Sequence, residues 1–474
     1  MDDYYRFIVP RLNGEEIHTK AGYYLSLVRK GIAGFIIFGG ELEETRKFIG
    51  RLQEESDLPL IISSDLERGL GQQIAGGTTF PPAMALASAV GRCRKNGEVL
   101  LRQAFAALAS EAEYVGINTI FAPVLDINTN PGNPIIAARA FGKDSGTVSY
   151  FGVEMVRTIQ RWGLAACGKH FPGHGDTSTD SHIGLPVIDR SLSALRRQEL
   201  KPFQRAIGAG IKMIMLGHLS VPAIDPSGIP VSLSPRAVSF LRREMKFGGI
   251  LITDAMNMGG LGKFSEEEAS LRALNAGVDL LLHPSDPEKI ARYLAKKRGA
   301  YHPPRLDRFR TGLGRLHPLE APAFDANRKL SRKLTEKSIR TSKRFRVRSA
   351  PFVVILSDDA GEKGKAFRRR LKANLPAAEF RIAGQESAVR RIRPPEDAFT
   401  VVAVFSETRA WKGGASDWLQ AALSDLAGRA DLLISFGSPY LLPDLKKVAR
   451  INAFWNDRTA QEAAADFLAR RLVP

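Results

Sequence analysis

Residues 1–285 repeat one pattern: a short apolar run, a polar or glycine-containing step, then a segment of helical period. The runs are Phe7-Ile8-Val9, Gly34-Phe35-Ile36-Ile37-Phe38, Leu60-Ile61-Ile62 and Thr119-Ile120-Phe121-Ala122-Pro123-Val124. They continue with Leu164-Ala165-Ala166-Cys167, Met213-Ile214-Met215-Leu216, Gly249-Ile250-Leu251-Ile252 and Val278-Asp279-Leu280-Leu281-Leu282. Between the third and fourth, Leu101, Phe105, Leu108 and Ala112 recur at helical spacing within Glu98–Val115. Strands covered on both faces read as continuous apolar runs, and their alternation with helices implies a parallel sheet. Eight such units predict an α/β fold, a (β/α)8 TIM-type barrel, whose active site gathers at the strand C-termini.

The residues after each run carry the chemistry. Asp65 follows the third run, Asp126 the fourth, Lys169-His170 the fifth, and His218, Asp254 and His283 the last three. A barrel brings these ends to one face, so residues far apart in sequence can share a pocket. Asp126 and His283 read as loop or cap residues in that ring. A second unit starts near Ser349, with strand candidates Phe352–Leu356, Phe399–Val404 and Asp431–Phe436 separated by the helical patterns Glu362–Asn374, Asp417–Leu426 and Thr459–Leu472. The expected organisation is a catalytic barrel over 1–318, a basic linker over 319–348 and a small α/β sandwich over 349–474.

Composition narrows the class. With 474 residues, 44% hydrophobic and 25% charged, the chain is globular rather than disordered or collagenous. Its two cysteines, Cys93 and Cys167, cannot form a disulfide framework. No apolar run reaches the roughly 18 residues of a membrane span. The opening Met1-Asp2-Asp3-Tyr4-Tyr5-Arg6 is acidic and aromatic, unlike a secretory signal. A cytoplasmic setting without membrane insertion is the expectation. The net charge of +18 is concentrated between Glu288 and Arg348, where 19 Lys/Arg face 5 Asp/Glu. That stretch reads as a solvated helix and linker, with docking to an acidic partner or membrane surface as the alternative. No zinc-finger, RNA-binding or helix-turn-helix signature accompanies it, so no nucleic-acid partner is expected.

The richest segment runs from Lys169 to His182, Lys-His-Phe-Pro-Gly-His-Gly-Asp-Thr-Ser-Thr-Asp-Ser-His, and its Gly, Ser, Thr and Pro content reads as a loop. Three histidines and two aspartates could ligate zinc or iron. No H-x-x-x-H helical pair is present, however, and Gly173 and Gly175 flank His174. The acid–base reading rests on Asp180 and His182. Two residues apart on an extended loop, they can hydrogen-bond, and a carboxylate beside imidazole fixes its tautomer and raises its proton affinity.

This segment resembles the signature of glycoside hydrolase family 3, in its β-N-acetylhexosaminidase branch. Ile252-Thr253-Asp254-Ala255-Met256-Asn257-Met258 is similar to the family's nucleophile segment, and Asn133–Gly142 to its arginine-bearing loop. Ser64-Asp65-Leu66-Glu67-Arg68-Gly69 stands where the family has Asp-Gln-Glu-Gly-Gly, and Phe436-Gly437-Ser438-Pro439-Tyr440 resembles its sandwich domain. The resemblance implies Asp254 as nucleophile, His182 as proton donor and then base, and Asp180 as its partner. Asp65, Arg139, Lys169 and His170 would hold sugar hydroxyls. No cofactor and no metal are implied. One departure concerns specificity: Gln73 stands where a substrate-contacting arginine is common.

The expectation is a retaining exo-β-N-acetylglucosaminidase acting on terminal GlcNAc of cell-wall (peptidoglycan) fragments through a covalent glycosyl-enzyme. A phosphorylase using the same site is the near alternative, because a neutral histidine does not repel phosphate as a carboxylate would. A β-glucosidase, a metal-dependent hydrolase built on the His/Asp-rich loop, and a non-catalytic sugar- or envelope-binding module are further alternatives. Intact Asp254, Asp180 and His182 argue against the last.

Overall fold

The computed structural model describes residues 2–91, 94–177, 184–297, 304–313, 320–347, 349–359, 364–389, 392–407 and 415–471. Two compact units emerge: one of residues 1–79, 102–129 and 140–328, the other of 80–101, 130–139 and 329–474.

Among the described residues of the first unit, nine strands form one parallel sheet. They are β1 (Ile8–Val9), β2 (Arg11–Asn13), β3 (Gly34–Phe38), β4 (Ile61–Ser64), β5 (Thr119–Ile120), β6 (Ala165–Phe171), β7 (Met213–Leu216), β8 (Ile250–Ala255) and β9 (Leu280–Leu282). The spatial order is β1-β9-β8-β7-β6-β5-β4-β3-β2. β1 and β2 are consecutive segments separated by Pro10, which has no N–H to give to a ladder. The Pro10 carbonyl still accepts from Ile36 N at 3.0 Å. β1 pairs with β9 and β2 with β3, so this broken strand closes the sheet into an eight-stave barrel. All eight apolar runs therefore become staves, and the barrel expectation holds.

Stave ends differ from the apolar runs for a physical reason. Apolar periodicity marks buried backbone, whereas the ladder continues wherever a buried polar side chain finds a partner. β4 extends through Ser63 and Ser64, whose hydroxyls donate to the Phe35 and Ile37 carbonyls at 3.0 and 2.9 Å. β6 runs on through Lys169 and His170 to Phe171, all buried, so these two lie in strand rather than loop. β8 likewise includes Asp254. Helices begin at side-chain caps: Asp144 accepts from Thr147 N ahead of Ser145–Arg161, and Ser265 from Glu268 N ahead of Glu266–Ala276. The latter ends at Gly277, whose φ of +99° suits glycine.

The basic stretch is only partly solvated. Helix Pro304–Leu313 is pinned by Arg305, which donates to Asp279 at 2.5 Å, and by Arg310, which donates to the Pro59 and Leu58 carbonyls at 3.0 and 3.2 Å. Charge counting could not see this, because the acceptors lie far away in sequence.

In the second unit six strands were found among the described residues: β10 (Arg340–Thr341), β11 (Pro351–Ser357), β12 (Glu379–Ala383), β13 (Phe399–Ser406), β14 (Leu432–Gly437) and β15 (Ala449–Asn452). Their order is β10-β15-β14-β13-β11-β12, parallel except for β10 against β15. Helices Lys365–Asn374 and Arg458–Ala469 bury Phe367, Leu371, Ala464 and Leu468 on one face, and Asp417–Ala427 buries Leu419 and Leu423 on the other. This is the small α/β sandwich read from sequence. No described helix is long and apolar enough to cross a membrane.

Candidate active site

The barrel brings Asp65, Lys169, His170 and Asp254 to the C-terminal ends of β4, β6 and β8, on one face. Lys169, 2% exposed, extends its Nζ between two carboxylates, 2.6 Å from Asp65 Oδ1 and 2.7 Å from Glu67 Oε1. An ammonium so placed has its charge compensated despite burial, and it fixes both carboxylates as acceptors. Glu67 was not among the residues singled out from sequence. Its signal was its position two residues beyond Asp65, in the turn that follows β4.

His170 is held from the neighbouring stave. Its Nδ1 lies 2.7 Å from Asp126 Oδ2, and its backbone N–H donates to the same carboxylate at 3.2 Å. The His174 N–H donates to Asp126 Oδ1 at 2.6 Å. Burial works to raise the Asp126 pKa, yet the charge and hydrogen bonds of His170 and the proximity of His174 hold it below its ordinary value. Asp126 is thus the clamp of the motif, a larger part than the loop or cap position read from sequence.

The segment beyond β6 is anchored as far as Thr177. The His174 ring, Nδ1 2.8 Å from Thr177 Oγ1, is pushed down by burial to about 4 and so stays neutral. Asp176 accepts from Thr129 Oγ1 at 3.0 Å, and Arg190 approaches it at 3.7 Å. Gly175 is required by close approach: a Cβ there would lie 1.7 Å from the Ile127 carbonyl oxygen. Asp180 and His182 lie outside the described residues.

Asp254 is 9% exposed, and its Oδ1 accepts from the Ala255 N–H at 2.8 Å. The next carbonyl is fixed in turn, 3.0 Å from Nε2 of the buried His218, whose Nδ1 lies 2.7 Å from Ser232 Oγ. The charges of Lys169, Asp65 and Asp254 all act on the buried Cys167 thiol, whose pKa burial itself pushes up. Asp254 and Asp126 both act on His174. These groups therefore converge at one end of the barrel. Gln73 Nε2 comes within 3.5 Å of the Asp65 carbonyl. Among the described residues no group of three His, Cys, Asp or Glu is disposed to hold a metal ion.

Arg139 belongs to the second unit. It ends a short 3-10 turn, Ala137–Arg139, and donates to the Ile135 carbonyl at 3.1 Å. The loop is shaped by Asn133, whose Oδ1 accepts from Ile135 N and Ile136 N at 3.0 and 2.7 Å.

A closed parallel barrel with carboxylates, a buried lysine and a clamped imidazole on its C-terminal rim defines a (β/α)8-barrel enzyme. The family model described as "Glycosyl hydrolase family 3 N terminal domain" matches residues 17–302, and the chain belongs to that family. It is 32% identical over 308 residues to a beta-hexosaminidase A of Pseudoalteromonas piscicida, a match covering 59% of this chain and 51% of that protein. The chain thus spans about half the length of that relative. It is also 32% identical over 308 residues to a beta-hexosaminidase of Thiobacillus denitrificans, covering 64% of this chain and 84% of the relative. The solved structure of a glycoside hydrolase family 3 beta-N-acetylglucosaminidase from Paenibacillus sp. str. FPU-7 superposes with a TM-score of 0.82 at 27% identity. That superposition covers 100% of this chain and 97% of the other.

Proposed function

We propose that the chain is a retaining exo-β-N-acetylglucosaminidase that removes terminal β-linked GlcNAc from cell-wall (peptidoglycan) fragments. The observation that carries this reading is the Asp65–Lys169–Glu67 cluster on the same barrel end as Asp254. It supplies fixed donors and acceptors for sugar hydroxyls on the rim that also carries the Asp254 carboxylate. Asp254 attacks the anomeric carbon as the bond to the leaving oxygen breaks and His182 delivers a proton to that oxygen. His182 then takes a proton from water, which attacks the same carbon and frees the Asp254 carboxylate. Asp180 orients His182, while Asp65, Arg139, Lys169 and His170 hold hydroxyls. The roles of Asp180, His182 and Arg139 rest on the motif in the sequence.

The test is turnover of a chromogenic aryl β-GlcNAc substrate against the matching β-glucoside, with and without phosphate. GlcNAc release preferring the GlcNAc substrate and indifferent to phosphate is expected. Preference for the glucoside, or sugar 1-phosphate on adding phosphate, sinks the assignment in favour of a glucosidase or a phosphorylase. A cytoplasmic setting belongs to the same proposal and agrees with the buried free thiol of Cys167. Activity confined to an envelope fraction of the source cells would refute it.

A further inference from the structure

A cleft of about 670 Å³ opens beside the barrel mouth, at the junction of β2 and β9, lined by Arg11, Asn13, Glu16, Lys20, Tyr23 and His283 among others. Its volume is that of a small-molecule site. Three polar side chains lining it have no hydrogen-bond or ion-pair partner among the described residues: the Arg11 guanidinium, the Tyr23 hydroxyl and the His283 imidazole. Arg11 rests instead on the Phe38 ring, 4.8 Å from its centroid. Tyr23 is 42% exposed, an uncommon position for so large an aromatic ring.

His283 is held there by its backbone. Its φ of +47° is unusual for a non-glycine residue, and its N–H is tied to the Val9 carbonyl at 2.8 Å. Such conformations collect where function places a side chain. Burial first, and the nearby Arg11 charge, push the imidazole down to about 4, while Asp65 opposes the shift. His283 therefore stays neutral and stands within electrostatic reach of the candidate sugar-binding Asp65.

The chemistry of the cleft favours a neutral polyol. Glu16 and Lys20 pair with each other at 2.7 Å, and the Arg11 charge also acts on Glu16, so the charges of the named lining residues largely offset one another. Asp286 and Glu288 lie near enough to raise the Tyr23 phenol, which burial and these charges push up to about 12. An exposed aromatic face flanked by a planar guanidinium and a neutral imidazole suits the apolar face and vicinal hydroxyls of a sugar ring.

We infer that this cleft is a second saccharide subsite, binding a neutral GlcNAc ring of an oligosaccharide substrate beyond the GlcNAc being cleaved. The inference rests on the reading that Asp65 and Lys169 hold the cleaved sugar. Tyr23→Ala and Arg11→Gln, singly and together, are compared on an aryl β-GlcNAc monosaccharide and on a β-linked GlcNAc trisaccharide. The double variant is expected to keep kcat/KM on the aryl substrate within about twofold and to lose about tenfold on the trisaccharide, chiefly in KM. Tyr23→Phe, which keeps the ring, should retain most of the trisaccharide activity. Equal losses on both substrates, or none on either, overturn the subsite. Titration of the trisaccharide into an Asp254→Asn background reads binding without turnover. There the double change should weaken Kd about tenfold, and an unchanged Kd overturns the subsite even if the wild-type protein hydrolyses neither substrate, a result that would sink the hexosaminidase reading by itself.

Discussion

Nδ1 of His170 and Oδ2 of Asp126 stand 2.7 Å apart in a fully buried contact between residues 44 positions apart in the chain. The same carboxylate accepts the His170 and His174 backbone N–H groups, so one side chain sets the course of the whole motif. Asp126→Ala leaves these buried donors without an acceptor and should cost about 3 kcal/mol of stability. Asp126→Asn keeps the shape but cannot accept from every donor. Its kcat should fall at least tenfold with a smaller loss in Tm. Thermal melts beside turnover measurements check this, and wild-type kcat in Asp126→Asn would show that His170 needs no clamp.

Lys169 sits between Asp65 and Glu67 with its side chain 3% exposed. Lys169→Met strips the cation from two carboxylates, an uncompensated arrangement worth about 3–5 kcal/mol. Lys169→Arg should not rescue activity, since the planar fork cannot occupy the place of a compact ammonium. Denaturant midpoints and kcat/KM for both variants decide it. Full activity in Lys169→Arg would contradict the geometry.

The proposed nucleophile and proton donor separate by leaving group. Asp254→Ala should be equally poor on aryl and alkyl glycosides, because attack on the anomeric carbon is needed whatever departs. His182→Ala should lose about 10²–10⁴-fold in kcat/KM on an alkyl glycoside and much less on an activated aryl one, which leaves without a proton. Asp180→Ala should follow His182→Ala more weakly. Equal impairment of His182→Ala on both substrates removes it from the acid role.

Acid should weaken the fold through two imidazoles. Burial holds His174 and His283 at about 4, against about 6.5 in an unfolded chain. Between these values the unfolded chain takes up protons that the folded one refuses. Stability is therefore full above about pH 6.5 and falls as pH drops toward about 4, by up to roughly 1.4 kcal/mol per pH unit for each imidazole. Denaturant titrations from about pH 7 to about pH 4.5 should show a shallower fall in His174→Asn than in wild type. Identical slopes would remove His174 from the account.

The basic stretch divides by burial. Arg310 is 5% exposed, and its loss takes away the donor to the Pro59 carbonyl and leaves the Leu58 carbonyl with Ser56 Oγ alone, so Arg310→Met should cost about 2 kcal/mol or more. Exposed Arg344→Gln should stay within about 0.5 kcal/mol. Comparable destabilisation by both would show that net charge, rather than these two hydrogen bonds, sets stability in this stretch.

The sequence by itself determined the eight staves, their alternation with helices and the rim positions of Asp65, Lys169, His170 and Asp254. Continuous apolar runs are a local record of burial on both faces, and burial is what a parallel barrel demands of every stave. Edge strand β12, mostly exposed, and β15, alternating, carry no such run, so only pairing with β11 and β14 makes them strands. Tertiary structure alone decided that Pro10 interrupts a stave without opening the barrel, and that residues 80–101 and 130–139 group with the C-terminal unit. It also chose the partners: Glu67 and Asp65 for Lys169, Asp126 for His170, Arg305 and Arg242 for Asp279. A residue's period tells which side of its element it faces. Which charge meets it there depends on strand order and closure, which bring together groups as far apart as Asp65 and Lys169, 104 positions distant in the chain.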